Sequence, residues 1–275
     1  LFALRLQGMS AKKQKVFQMK KLNIEHQVAQ KFHLPGVRFD TVYYPNKTLF
    51  TTINVLPRSY HAVFDETYEP QKPYDIVDKM VFFKKNAIAL YIKDPKIGEN
   101  LHCKDFHCIA PENSNLQDDL LYFRKMVPKQ THIIDNALFT DKHLARRRAS
   151  IFLLAYYPKT PDVQIRLDRL LQEDNRFILH DTLRVYGEFL KAYPHLSVDL
   201  KRVIPLLNSY DEAIRNKTLL ILEALASQEK YQHIIAKQAG DSLLKLLKLK
   251  QPNNHDIAYH ILQKISHQNF GDRDY

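Results

Sequence analysis

The chain has 275 residues, 45% of them apolar and 26% charged, and its 41 Lys and Arg outnumber 30 Asp and Glu to give a formal net charge of +11. These proportions are those of folded domains and exclude bulk disorder, while the length suits two units or one elongated array. No apolar run approaches the roughly 18 to 20 residues that span a bilayer, six scattered Gly cannot assemble a phosphate-binding loop, and no His-Glu-x-x-His occurs.

The sequence opens Leu1-Phe2-Ala3-Leu4, with Met9 as a candidate natural start and an apolar stretch to Leu6 that is too short for a signal-peptide core. Two Cys form no disulfide framework, so a reducing cytoplasm is the expected compartment. From Met9 to His33 neither Pro nor Gly interrupts, and Phe17, Ile24, Val28 and Phe32 recur at spacings of 7, 4 and 4. That pattern predicts a helix packing this face on its own domain and stopped by Pro35-Gly36. The helix is a basic head carrying Lys12, Lys13, Lys15, Lys20 and Lys21, and through Lys47 nine Lys or Arg stand against two acids.

Val37 to Tyr44, Thr48 to Leu56 and Tyr60 to Phe64 are rich in β-branched and aromatic residues and read as strands, the first two joined by a turn at Pro45-Asn46-Lys47. Ile76 to Phe83 and Ala87 to Ile92, linked through Lys84-Lys85-Asn86, predict a second hairpin. Residues 9 to 110 are thus expected to form a small α+β domain, with 111 to 129 as linker and leading helix, starting from Pro111-Glu112-Asn113-Ser114-Asn115. Within this domain His102, Cys103, His107 and Cys108 are the one dense set of potential metal ligands. Four ligands within seven residues rarely reach a single tetrahedral centre, so neither a metal nor a Cys nucleophile is expected.

From 130 to 267 strand signals vanish and helices follow one another, with 268 to 275 as a tail. Taking Thr218 as an anchor, equivalent positions are Ala149, Thr182 and Ala258, and the residues four and seven further on (Leu153 and Tyr156, Tyr186 and Phe189, Leu222 and Leu225, Leu262 and Ile265) are all apolar. Shorter amphipathic segments precede each anchored helix: Thr131 to Phe139, Val163 to Gln172, Leu200 to Leu207 and Ser242 to Leu249. A helical hairpin of this kind leaves an apolar face that a neighbour in the same register covers, which predicts an α-solenoid of about four repeats.

This half resembles the armadillo and HEAT repeat families. The final unit, with Ala239-Gly240 at an expected sharp turn, is similar to an armadillo repeat, and the earlier ones to HEAT hairpins. The resemblance implies a non-enzymatic protein-binding scaffold, an adaptor or accessory subunit of a larger complex, without cofactor or small-molecule substrate. The Trp ladder of peptide-binding armadillo proteins is replaced by Ile151, Arg184, Leu220 and His260, and the Asn ladder by Ala155, Glu188, Ala224 and Lys264. The groove expected from Arg148, Arg184, Glu188, Lys217, His260 and Lys264 has mixed charge and suits a folded, partly acidic protein.

Nucleic-acid binding by a HEAT-like protein is the alternative, disfavoured because residues from 131 onward carry 21 basic against 17 acidic side chains and the chain has no Trp to stack a base. Arg146-Arg147-Arg148 fan over some 200° of a helix and cannot form one patch. Membrane contact by the basic head is disfavoured on the expectation that its apolar positions are packed inward. Low Gly, absent Trp and abundant Lys, Asn, Gln and Ile resemble proteins of AT-rich intracellular bacteria, where secretion-system adaptors and effectors occur.

Overall fold

The computed structural model of the chain describes residues 11–43, 49–57, 68, 72–93, 105–107, 115–269 and 271. The expected strand Tyr60 to Phe64, the turn at 45 to 47 and His102, Cys103 and Cys108 lie outside these residues. Among the described residues the chain is mostly helical, with eleven α-helices and one two-stranded antiparallel sheet. It forms two compact units, Leu1–Ala62 with Val203–Tyr275, and Val63–Arg202.

The first unit opens with α1 (Ala11–Lys31). Its end is set one turn before Pro35: His33 takes a left-handed conformation (φ 53°), the Leu34 N–H bonds to the Ala29 carbonyl at 2.9 Å and the His33 N–H to that of Gln30 at 3.2 Å. That pair of bonds closes a helix C-terminus in the way Gly usually does. Strands β1 (Val37–Tyr43) and β2 (Leu49–Val55) pair from Val37 opposite Val55 to Tyr43 opposite Leu49. α1 packs on β1, but not by the expected face: Ile24 and Phe32 are exposed, whereas Glu25 is buried. The covered side runs through Lys21, Glu25, Val28 and Ala29 because the Glu25 carboxylate accepts the Phe39 N–H at 2.7 Å, which a strand edge otherwise leaves unpaired.

In the same unit a 3-10 segment, Ile204–Asn208, packs on α9 (Glu212–Ala226), and α10 (Glu229–Leu247) and α11 (Pro252–Ser266) pack on each other, with α11 also lying along α9. The turn expected at Ala239-Gly240 does not exist. α10 runs through it unbroken, Ala239 lies in the core, and nothing stands within 4 Å of where a Gly240 Cβ would be. A single Gly in a strongly periodic run costs a helix only about 1 kcal/mol and does not end it.

The second unit contains α2 (Ile76–Lys93), α3 (Gln117–Met126), α4 (Thr131–Thr140), α5 (Leu144–Leu153), α6 (Thr160–Leu170) and α7 (Arg176–Ala192). The short α8 (Leu200–Val203) follows. α2 replaces the second hairpin expected over 76 to 92. Asp75 caps it, accepting the N–H groups of Val77 and Asp78 at 2.9 Å each, and Ile76, Met80, Phe83 and Ala87 are buried at helical spacing. Lys85 and Asn86, read as a turn, are the solvent side of this helix. α2 packs on α4 and α5, α4 on α5, α6 on α7, and α5 on α7.

The anchor positions are buried in both units. Ala149, Thr182, Thr218 and Ala258 are all 0% exposed. Leu153, Tyr156, Tyr186, Phe189, Leu222 and Leu225 are buried as well, with Leu262 and Ile265 half-buried. Three anchored helices begin with a side chain seven residues before the anchor: Asn175 accepts the Phe177 N–H at 3.0 Å, Asp211 the Ala213 N–H at 3.0 Å, and Gln251 the Asn254 N–H at 3.0 Å.

Candidate functional site

The expected binding residues fall in separate places. In the second unit Arg148, Arg184 and Glu188 belong to α5 and α7. Arg184 is exposed and Glu188 half-buried one turn further on. Arg148 is turned inward: its Nε donates to the Asp181 carboxylate at 2.8 Å and its guanidinium lies 5.3 Å from the centre of the Phe177 ring. In the first unit Lys217 is half-buried, His260 is exposed with Nδ1 3.8 Å from the Glu223 carboxylate, and Lys264 donates to the Glu223 carbonyl at 3.3 Å and to Ser227 Oγ at 3.1 Å. His260, Lys264 and Glu223 therefore form one polar seam between α9 and α11.

All three residues of the Arg146-Arg147-Arg148 run are engaged internally. The Arg146 guanidinium sits between Asp75, Asp78 and Asp141, with 2.7 Å from Nη2 to Asp75 and from Nε to Asp141 and a short contact to Asp78. Burial pulls its pKa down, but the three carboxylates outweigh that and hold it above the ordinary arginine value. Arg147 donates to the Leu138 carbonyl at 3.0 Å and to Glu173 at 2.6 Å. The helical fan that precludes one patch sends each side chain to a different neighbour: α2, the end of α4, and α7.

Asp181 is the buried centre of that last contact, with Arg148 at 2.8 Å, His180 Nδ1 at 3.0 Å and Lys84 Nζ at 3.7 Å. Burial pushes the carboxyl up, yet Lys84, His180 and Arg148 together hold it well below the usual carboxylate range. Arg148 and Asp181 each stand one residue before an anchor, Ala149 and Thr182, so the pair joins equivalent positions of neighbouring helices. Opposite charges at one register position were the sequence signal for this contact.

A second polar centre, absent from the sequence reading, lies in the first unit. Arg38 bonds to Asp40 at 2.7 Å and to Asp211 at 3.1 Å, Asn54 donates to Asp40 at 2.7 Å, and Gln251 donates to Glu212 at 3.0 Å. Burial raises the Glu212 carboxyl above its ordinary value, and the neighbouring Asp40 and Asp211 raise it further. These contacts tie the hairpin to the start of α9 across more than 170 residues of chain, a separation no local pattern encodes.

Of the four residues considered for a metal, His107 alone is described. It is buried with its ring centre 5.1 Å from that of Phe152, while the preceding Phe106 meets Phe189 at 5.1 Å and Asp105 meets Arg124 at 2.9 Å. This segment is packed into the aromatic core of its unit. Among the described residues no group of three or more His, Cys, Asp or Glu is placed to hold a metal ion. The basic head lies on α1: Lys20 is exposed, Lys21 sits 3.5 Å from Glu25, and Lys12, Lys13 and Lys15 occupy its first turns. No protein-family model matches the chain, and neither a curated protein nor a solved structure matches it.

Proposed function

We propose that the chain is a non-enzymatic protein-binding scaffold of armadillo or HEAT type, an adaptor or accessory subunit whose partner is a folded, partly acidic protein, with a bacterial secretion system as one setting. The observation that carries this is the repeated use of one register: the same position is fully buried in four helices, and three of them are capped seven residues earlier. Such repetition is how a solenoid stacks like on like and leaves an extended surface for recognition. Arg184 and Glu188 give mixed charge to the outer side of α7 in the second unit, and His260 is exposed on α11 in the first.

Charged groups paired inside the chain support the same reading. Asp181 and Arg146 are held by ion pairs that fix helices to one another, and Asp211 by one that fixes a helix start to β1, as structural charges are. Affinity capture of the full chain from its source, quantified by mass spectrometry, tests the proposal. Arg184→Glu with Lys264→Glu should lower recovery of the specific partner by at least about tenfold, given roughly 1 to 3 kcal/mol for charged contacts in an interface. Substitution of His102, Cys103 and Cys108 should leave it unchanged. Loss of function in the second variant alone would overturn the scaffold.

A further inference from the structure

Helix α1 rests on β1 by the side that runs through Lys21, Glu25, Val28 and Ala29, and away from that side it exposes apolar residues. At about 100° per residue Val16 stands opposite the buried Glu25, and Met19 and Ile24 fall within about 80° of it. All three are exposed, Met19 by 62%. Lys20 and Lys31 occupy the same arc and are exposed, and no acidic residue among the described ones does so. The whole helix holds six Lys and one Glu, and that Glu is turned onto the Phe39 N–H and Lys21. Beyond its end Phe32 is 61% exposed.

From this arrangement we infer that α1 is a surface for anionic lipid, lying in the plane of the headgroups rather than crossing the bilayer. The inference is independent of the scaffold reading. The reason for disfavouring a membrane was that the apolar positions of this helix would be packed inward, and the structure leaves Ile24 and Phe32 outside. Lysines interleaved with Val16, Met19 and Ile24 match a layer that is negatively charged at the headgroups and apolar just beneath, because each lysine stem can follow the apolar surface while its ammonium reaches up to a phosphate. The six Lys of this helix fall within the four to eight Lys or Arg whose charge holds a segment to an anionic surface. A protein groove would have to offer a separate carboxylate to every lysine and desolvate each pair. Nucleic acid would take the lysines and leave the apolar side chains in water.

Sedimentation of the full chain with vesicles tests this. It should bind phosphatidylcholine vesicles containing phosphatidylserine, and phosphatidylcholine alone far more weakly. Lys20→Glu and Lys31→Glu should each weaken binding by about fivefold or more. Val16→Asp with Met19→Asp should weaken it by more than about tenfold, both sites being exposed so that the fold is kept, as circular dichroism would verify. Because the chain has no Trp, Met19→Trp gives a single indole that can be excited apart from the Tyr residues, and its emission should shift to the blue on phosphatidylserine vesicles. Absence of binding to these vesicles would overturn the inference. So would binding that the Val16 and Met19 substitutions leave intact, with single-stranded DNA bound equally well, since that marks a site for polyanions at large. Arg184→Glu with Lys264→Glu should leave vesicle binding unchanged, which separates this outcome from that of the scaffold test.

Discussion

Asp181 lies buried between Lys84, Arg148 and His180, and all three favour its charged form. Asp75 and Asp135 are also lowered: burial works against each, but Arg146 with the Val77 and Asp78 N–H groups outweighs it at Asp75, and Arg166 with Tyr157 at Asp135. A carboxyl with a folded pKa below its unfolded value of about 4 contributes stability that is present above that value and lost as the pH falls through the folded one. Urea midpoints measured from about pH 7 down to about pH 3 should therefore decline, most steeply below about pH 4. Asp181→Ala should cost about 3 kcal/mol near neutrality, because Lys84 and Arg148 lose their shared counter-charge, and the variant should show a flatter acid limb. A variant as stable as the parent at neutral pH would mean that the pair is solvated. Glu212 works in the opposite direction, its raised pKa favouring the fold on acidification, which tempers the decline without reversing it.

At the scale of elements, what was legible followed from periodicity and what was missed followed from its local ambiguity. The helices of 130 to 267 are readable from their apolar periodicity, and β1 and β2 because β-branched and aromatic residues cluster around Pro45-Asn46-Lys47. α2 was read as a hairpin since its apolar runs are dense on both sides of Lys84-Lys85-Asn86, although Asp75 three residues before Asp78 is the spacing of a helix cap. α10 was broken at Gly240 by analogy with armadillo repeats. The continuous helix makes a definite prediction: Gly240→Ala should stabilise by up to about 1 kcal/mol, since the backbone is helical and the added Cβ meets nothing. Denaturant titration checks this, and a loss of stability would restore the turn. Apolar character alone points to Ile24 and Phe32 as the packed face of α1, whereas the bond from the Phe39 N–H to the Glu25 carboxylate decides the seam.

For the whole molecule, the first unit joins the beginning of the chain to its end, and this is the part a linear reading had least means of finding. Arg38 reaching Asp211 is a contact between positions whose local sequence promises only a strand and a helix start. Of the six residues expected to meet a partner, Arg184 and His260 are exposed, Glu188, Lys217 and Lys264 are half-buried, and Arg148 is committed to Asp181. The signal that would have withdrawn Arg148 was Asp181 at the same register position one unit later. The scaffold proposal thus rests on the outer turns of α7 and α11. Hydrogen–deuterium exchange of the full chain, alone and bound to its captured partner, tests it most directly. The account predicts new protection around Arg184 and Glu188 and around His260 and Lys264, and protection confined to residues 105–107, with both helices unchanged, would contradict it.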